Sequence, residues 1–239
     1  MLNTMKLLVS FVATMIVTIS AMGQTMTLKM KSGSYVTYST EEVEEVTFAE
    51  KLDESNPSGN YYNGHEYVDL GLPSGKLWAT CNIGATSPEM IGDYFAWGET
   101  NTKEEYSKDT YNHYGKNIGE NISGTEYDAA HVQWGGEWCM PTYSEFSEMT
   151  AKCTWKVSFI NGNKCFVGTA PNGNSITIPA CGWINVYNNN SAEDGAYWCS
   201  NSSGTYSASM VWLIDPTGIY CSYPNRKELG QCIRAIYRK

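Results

Sequence analysis

Histidine is scarce in this chain: three residues in 239, scattered as His65, His113 and His131. The eight cysteines contain no Cys-x-x-Cys pair, so a zinc ribbon or a thioredoxin-like centre is excluded. There is no Gly-x-Ser-x-Gly elbow, no Walker phosphate loop and no His-Glu-x-x-His zinc helix. His65-Glu66 is followed by Tyr67-Val68-Asp69, without the second histidine. Positive charge is also in deficit, with a formal net charge of −9. That sign disfavours nucleic acid and anionic membranes as partners. Only one long apolar run occurs, from Leu7 to Ala21, and it is shorter than the about 20 residues of a membrane-spanning helix.

That run follows Lys6 and ends in Ala21-Met22-Gly23, a small-x-small cleavage pattern. Residues 1–23 therefore read as a secretory signal, with the mature chain starting at Gln24 and lacking a transmembrane segment. The expected location is secreted, periplasmic or cell surface. An exported chain with an even number of cysteines suggests disulfides, although buried free thiols also pack well as small apolar groups.

Residues 24–50 read as a small β-hairpin module. Met26, Leu28 and Met30 alternate with polar residues, Ser32-Gly33 is a turn, and Tyr35-Val-Thr-Tyr38 returns. One helical turn at 39–42 and a third strand at 46–48 would complete it. Residues 51–62 are polar with Pro57 and Gly59 and read as a linker. Residues 63–239 form the main domain, long enough for one sizeable core. Its opening hairpin joins Tyr67–Leu70 to Leu77–Ile83 through Pro73-Ser-Gly75, with Leu77, Ala79, Cys81 and Ile83 on one face. Residues 101–124 are polar and read as a mobile surface insertion. A short helix is expected over 127–132.

The chain is organised around Trp134-Gly-Gly-Glu-Trp-Cys-Met-Pro-Thr-Tyr-Ser-Glu-Phe146. Thr142 is an N-cap and Glu145 completes a capping box, opening a helix with Phe146, Met149 and Cys153 inward. From Trp155 onward the pattern has period two, with turns at Asn161-Gly-Asn163 and Pro171-Asn-Gly-Asn174. Two short helices among many antiparallel strands give the α+β class.

Several ordered segments resemble the Fibrobacter succinogenes major paralogous domain family. They are Val68-Asp-Leu-Gly-Leu-Pro-Ser-Gly-Lys-Leu-Trp-Ala-Thr-Cys-Asn82, Gly92-Asp-Tyr-Phe-Ala-Trp-Gly-Glu99 and Trp134-Gly-Gly-Glu-Trp-Cys-Met-Pro-Thr142. Further on come Ile178-Pro-Ala-Cys-Gly182, Tyr197-Trp-Cys-Ser200 and Gly230-x-x-Ile-Arg234. The resemblance covers about residues 64–239 and implies a C-type lectin-like fold: two helices, small antiparallel sheets and long loops on one side. It also implies pairing of the first and last strands, bringing 77–83 near 232–236. Such domains include receptor-like proteins whose C-terminal loops are diversified for ligands. Against the family's usual residues, positions 139, 181, 199 and 232 have become cysteine here. The departure implies added bridges, with Cys181–Cys199 and Cys139–Cys232 as the expected pairs. The Glu-Pro-Asn, Gln-Pro-Asp and Trp-Asn-Asp segments of calcium-dependent sugar sites are absent, so no metal or cofactor is implied.

The remaining signal is compositional. The candidate ligand-binding residues are Trp183, Tyr187, Asn188, Asn189, Asn201, Tyr206, Tyr220, Tyr223, Asn225 and Arg226. Rigid aromatic rings with short amides and hydroxyls resemble antibody paratopes, giving contact area at low entropic cost. The competing reading puts Trp198 and Trp212 in the core and leaves the Asn/Ser loops merely solvated. The expected function is a non-enzymatic binding module for an extracellular protein or glycan. The alternatives are a structural or adhesive surface subunit and, least supported, a hydrolase built on carboxylates such as Asp194 and Asp215.

Overall fold

The computed structural model describes residues 17–19, 25–29, 35–39, 60–189 and 193–237. The chain divides into two compact units, Met1–Ser55 and Asn56–Lys239. In the first, β1 (Val17–Ile19), β2 (Thr25–Lys29) and β3 (Tyr35–Ser39) form one antiparallel sheet. The β2–β3 hairpin pairs Thr25 with Ser39 and Lys29 with Tyr35. β1 lies inside the stretch read as a secretory signal and sets Val17 opposite Leu28. The rest of that stretch, the helical turn at 39–42 beyond Ser39 and the strand at 46–48 lie outside the described residues.

The second unit opens with β4 (Tyr61–Tyr62), β5 (His65–Asp69) and β6 (Leu77–Ala79). There follow α1 (Ala129–Trp134), β7 (Trp138–Cys139), α2 (Tyr143–Lys152), β8 (Thr154–Ile160), β9 (Asn163–Thr169) and β10 (Ser175–Pro179). The chain ends in β11 (Trp183–Asn185), β12 (Asn188–Asn189), β13 (Gly195–Ser202), β14 (Ser207–Leu213), β15 (Ile219–Arg226), β16 (Gly230–Gln231) and β17 (Ile236–Tyr237). The fold is therefore α+β, mostly sheet, with two short helices among the described residues. β4 falls within residues read as linker. Asn63 and Gly64 have φ of 45° and 81° and turn the chain from Tyr62 straight back to His65. That is the Asn-Gly signature of a two-residue hairpin.

The five-stranded sheet runs β4-β5-β6-β17-β7, so the unit's opening and closing strands pair. Val68, Trp78, Ile236 and Cys139 form one cross-strand row. Those four side chains join one hydrophobic cluster with Phe146 and Met149 of α2, while Ala79, Trp138 and Tyr237 belong to a second cluster on the other face. Both faces of β6 are therefore covered, since Leu77, Trp78 and Ala79 are all buried; Leu77 and Ala79 share a face as expected, but the strand ends at Ala79, so Cys81 and Ile83 lie outside it. Period two in a strand only says which face a side chain joins; here each face has a core.

The helix starts follow local chemistry. Asp128 caps α1 and accepts from the amides of Ala130 and His131 at 2.9 and 3.1 Å. In α2 the Glu145 carboxylate accepts the Thr142 amide at 2.7 Å while the Thr142 hydroxyl accepts the Glu145 amide at 3.3 Å. Phe146 and Met149 are buried, and Cys153 ends the helix. Thr142→Ala is expected to lower stability by about 1 kcal/mol, read as a smaller urea midpoint at unchanged denaturant slope.

Arg234 ties the ends of the unit together. Its Nε donates to Asn82 Oδ1 at 2.8 Å, Nη1 to the carbonyls of Ala79 and Thr80, and Nη2 to that of Thr177 at 3.0 Å. The side chain is fully buried, and no carboxylate pairs with it among the described residues.

Residues 101–124, read from their polarity as mobile, are instead laid down on the core. Tyr106 and Tyr111 are buried, and their hydroxyls donate to the carbonyls of Tyr94 and Trp97. Lys103 pairs with Glu99 at 2.6 Å, and the Ile122 amide donates to the Ser200 carbonyl at 3.0 Å. A polar loop becomes ordered when buried phenols satisfy backbone acceptors.

Candidate functional site

Strand β14 runs between β13 and β15 and sets the geometry of the C-terminal third. Ala196, Trp212 and Tyr220 form one cross-strand row, and Trp198, Met210 and Tyr223 another on the same face. Each row begins in the core, where Ala196 and Trp198 are fully buried, and ends at the edge, where Tyr220 and Tyr223 are 52% and 45% exposed. Trp212 links them. Its ring lies 6.2 Å from Tyr220, 5.4 Å from Tyr223 and 6.1 Å edge-on from Trp183 of β11. Its indole N–H donates to Asp194 Oδ2 at 3.1 Å, which fixes the ring's orientation. The result is an aromatic wall that grows out of the core rather than a set of loose rings.

Tyr187 stands at the tip of the β11–β12 turn, where Asn185 Oδ1 accepts its amide at 2.7 Å. Its ring is 93% exposed, beside Val186 at 47%. Asn188 pairs its backbone with Asn185, and Asn189 with Ile184.

The other candidates lie at the opposite end of the same sheet. Ser207 pairs with Arg226, five residues along β14 from the Trp212–Tyr220 pair, roughly 17 Å at about 3.3 Å per residue. Tyr206 is 53% exposed and rests on Tyr114 at 5.0 Å. Asn201 is committed to structure, since its Oδ1 accepts the Tyr143 amide at 2.9 Å at the start of α2. Asn225 contacts Met210 Sδ at 3.2 Å and its Oδ1 accepts the Arg226 amide at 2.9 Å. Arg226 pairs with Glu228 at 3.3 Å. Beneath this end the buried Lys227 ammonium sits 4.4 Å from the Trp97 ring centre and 2.9 Å from Ser202 Oγ. Burial pushes its pKa down.

The structure thus gathers Trp183, Tyr220 and Tyr223 around Trp212, with Tyr187 on the adjoining hairpin, and sets Tyr206 and Arg226 apart. Trp212 is partly buried and packs against the core, in line with the reading that put it there, while its ring also borders Tyr220 and Tyr223. The alternation of Ser209-Met-Val-Trp-Leu213 gives its face, and its place near the strand's end is the available clue that this face outruns the core.

The candidate disulfides do not form: among the described residues none of the eight cysteines is in a disulfide. Cys181 is fully buried. Its thiol contacts the Ala196 carbonyl at 3.1 Å, next to Tyr197, to which Cys232 is bridged. Cys139 contacts the Ile236 carbonyl at 3.9 Å. Cys139, Cys181, Cys199 and Cys232 all lie in one buried cluster, with the Cys181 thiol spent on the Ala196 carbonyl.

Carboxylate chemistry finds little to use. Asp194 is held by Trp212. Asp215 accepts the Thr217 hydroxyl and amide and the Gly218 amide, each at 2.7 Å, and the Thr217 hydroxyl foremost holds its pKa down. Among the described residues no three His, Cys, Asp or Glu side chains converge as a metal site, and no helix is long and apolar enough to cross a membrane. A cleft of about 620 Å3 separates α2 from the start of β15, lined by Thr150, Cys153, Trp155, Ile219 and Cys221 among others. No protein-family model, curated protein or solved structure matches the chain.

Proposed function

We propose that this is an exported, non-enzymatic binding module of C-type lectin-like architecture, located outside the cytoplasm. It takes an extracellular protein or glycan on the wall formed by Trp183, Tyr187, Trp212, Tyr220 and Tyr223. One observation carries this reading: cross-strand rows that are fully buried at β13 emerge as half-exposed tyrosines on β15, oriented by a tryptophan whose indole is pinned to a carboxylate. Such a surface needs no ordering on contact, so its aromatic area converts to affinity at low entropic cost. Tyr206 and Arg226 lie too far along the sheet to share a small ligand with Tyr220, so they enter only if the partner is a protein or an extended glycan.

The test is a glycan and protein array probed with the full chain, with and without chelator, beside Tyr187→Ala, Tyr220→Ala and Tyr223→Ala. Each substitution is expected to cost about 1–2 kcal/mol of binding, and the three together roughly 100-fold or more. The chelator is expected to change nothing. Because all three rings are about half exposed or more, thermal midpoints should hold. Binding that survives the triple substitution, or variants that unfold, would refute the reading.

A further inference from the structure

Cys181 and Cys232 are both fully buried in one cluster and meet adjacent residues of β13. Cys181 Sγ contacts Ala196 and Cys232 is bridged to Tyr197, while the neighbouring Trp183 and Gln231 pair across β11 and β16. Each is held by its own backbone. The Cys181 carbonyl accepts the Tyr94 hydroxyl, and the Cys232 carbonyl accepts the Trp198 amide at 3.0 Å. The sulfurs are held as well: Cys181 Sγ lies 3.1 Å from the Ala196 carbonyl, and Cys232 Sγ 3.4 Å from that of Ile91. Cys181 lies just before β11, and Cys232 directly after β16, bridged to Tyr197. Since β11 itself pairs with β16, the two cysteines sit where the chain leaves the core and where it returns. Between them lie β11 to β16 and every one of the ten candidate surface residues.

We propose that Cys181 and Cys232 are a disulfide-forming pair whose bond closes the base of the segment carrying the ligand surface. The oxidant is an external disulfide, of which oxidised glutathione is the simplest. A thiolate from one cysteine attacks it to give a mixed disulfide and releases one thiol. The second cysteine's thiolate then displaces the other thiol. Two S–H bonds are lost and one S–S bond forms. Two electrons reduce the oxidant, and the two protons pass to its released thiols through solvent. With both sulfurs buried in the finished fold, the exchange belongs to folding or to transient opening of the β11–β16 pair. Burial pushes the Cys232 thiol up. The bond does not rest on the ligand reading; only its consequence, a surface stiffened at its root, does.

The test refolds the full chain with a mixture of reduced and oxidised glutathione, beside a fully reduced sample. The expected product is lighter by about 2 Da per bond and yields a Cys181–Cys232 linked peptide in a non-reducing map. A reductant should then lower its thermal midpoint by roughly 10 °C, the effect of opening a covalent loop of this size. Cys232→Ala should match the reduced midpoint and ignore the reductant. Recovery of both residues as alkylated thiols after oxidative refolding, or a link from either to a different cysteine, overturns the proposal. The peptide map uses the parent chain, so it decides the matter even if Cys232→Ala does not fold. It is also independent of any array signal, so failure of the bond and failure of the binding surface are separate results.

Discussion

Arg234→Ala is expected to destabilise the larger unit by about 4 kcal/mol and to lower its midpoint by roughly 8–16 °C. The guanidinium is fully buried and serves four acceptors: Asn82 Oδ1 and the carbonyls of Ala79, Thr80 and Thr177. Removing it leaves those acceptors facing a void, at about 1 kcal/mol or more for each one that water cannot reach. Relief from burying the charge offsets part of this, because burial already pushes the Arg234 pKa down. The offset is partial because the acceptors come from two segments, 79–82 and Thr177, and all four lose their donor at once. Arg234→Lys should recover little, since an ammonium cannot reproduce the planar fork that spans them. Urea unfolding checks both variants. An unchanged midpoint for the alanine variant would mean that water replaces the guanidinium, and that Arg234 does not hold the ends together.

Trp198→Ala is expected to cost about 4 kcal/mol, by loss of buried apolar surface and by the cavity left behind. The ring is fully buried, and its indole N–H donates to the Phe95 carbonyl at 2.8 Å. That carbonyl keeps its second donor, the Gln231 amide at 3.0 Å, so the loss is mainly one of packing. Trp198→Phe refills most of the volume and is expected to cost less than half as much. Trp198 shares its row with Met210 and Tyr223, so the alanine variant should also weaken ligand binding without touching the ligand. A midpoint shift under about 1 kcal/mol would place Trp198 outside the cooperative core.

Local chemistry made part of this fold legible. The capping box at Thr142 and Glu145 involves neighbours three residues apart, and the Asn161-Gly162 turn needs only two positive φ values, 49° and 83°. Asn63-Gly64 carried the same signal inside a polar stretch, where composition obscured it. Long-range satisfaction was not legible. Nothing near Tyr106 or Tyr111 says that their hydroxyls will meet the carbonyls of Tyr94 and Trp97. Nor does composition separate an amide free for ligand from one already spent, as Asn201 is on the first turn of α2. Trp212 shows the converse: a strand residue with core neighbours whose other side faces outward, since alternation reports a face but not where the core beneath it ends. The cysteines show the same limit: the four expected to bridge do share one buried cluster, but adjacency of segments does not say which thiols meet and which are spent on backbone carbonyls.

The location of the ligand footprint tests the central claim most directly. Hydroxyl-radical labelling of the full chain, alone and with the strongest array ligand, reads each tyrosine and tryptophan separately. Protection concentrated on Tyr187, Trp212, Tyr220 and Tyr223, with Phe159 and Tyr143 labelled as before, is the result expected here. Those two rings are 72% and 41% exposed and so serve as internal controls. Protection of Trp155 and of Tyr220, which also lines the cleft between α2 and β15, with Tyr187, Trp212 and Tyr223 unchanged, would contradict the account.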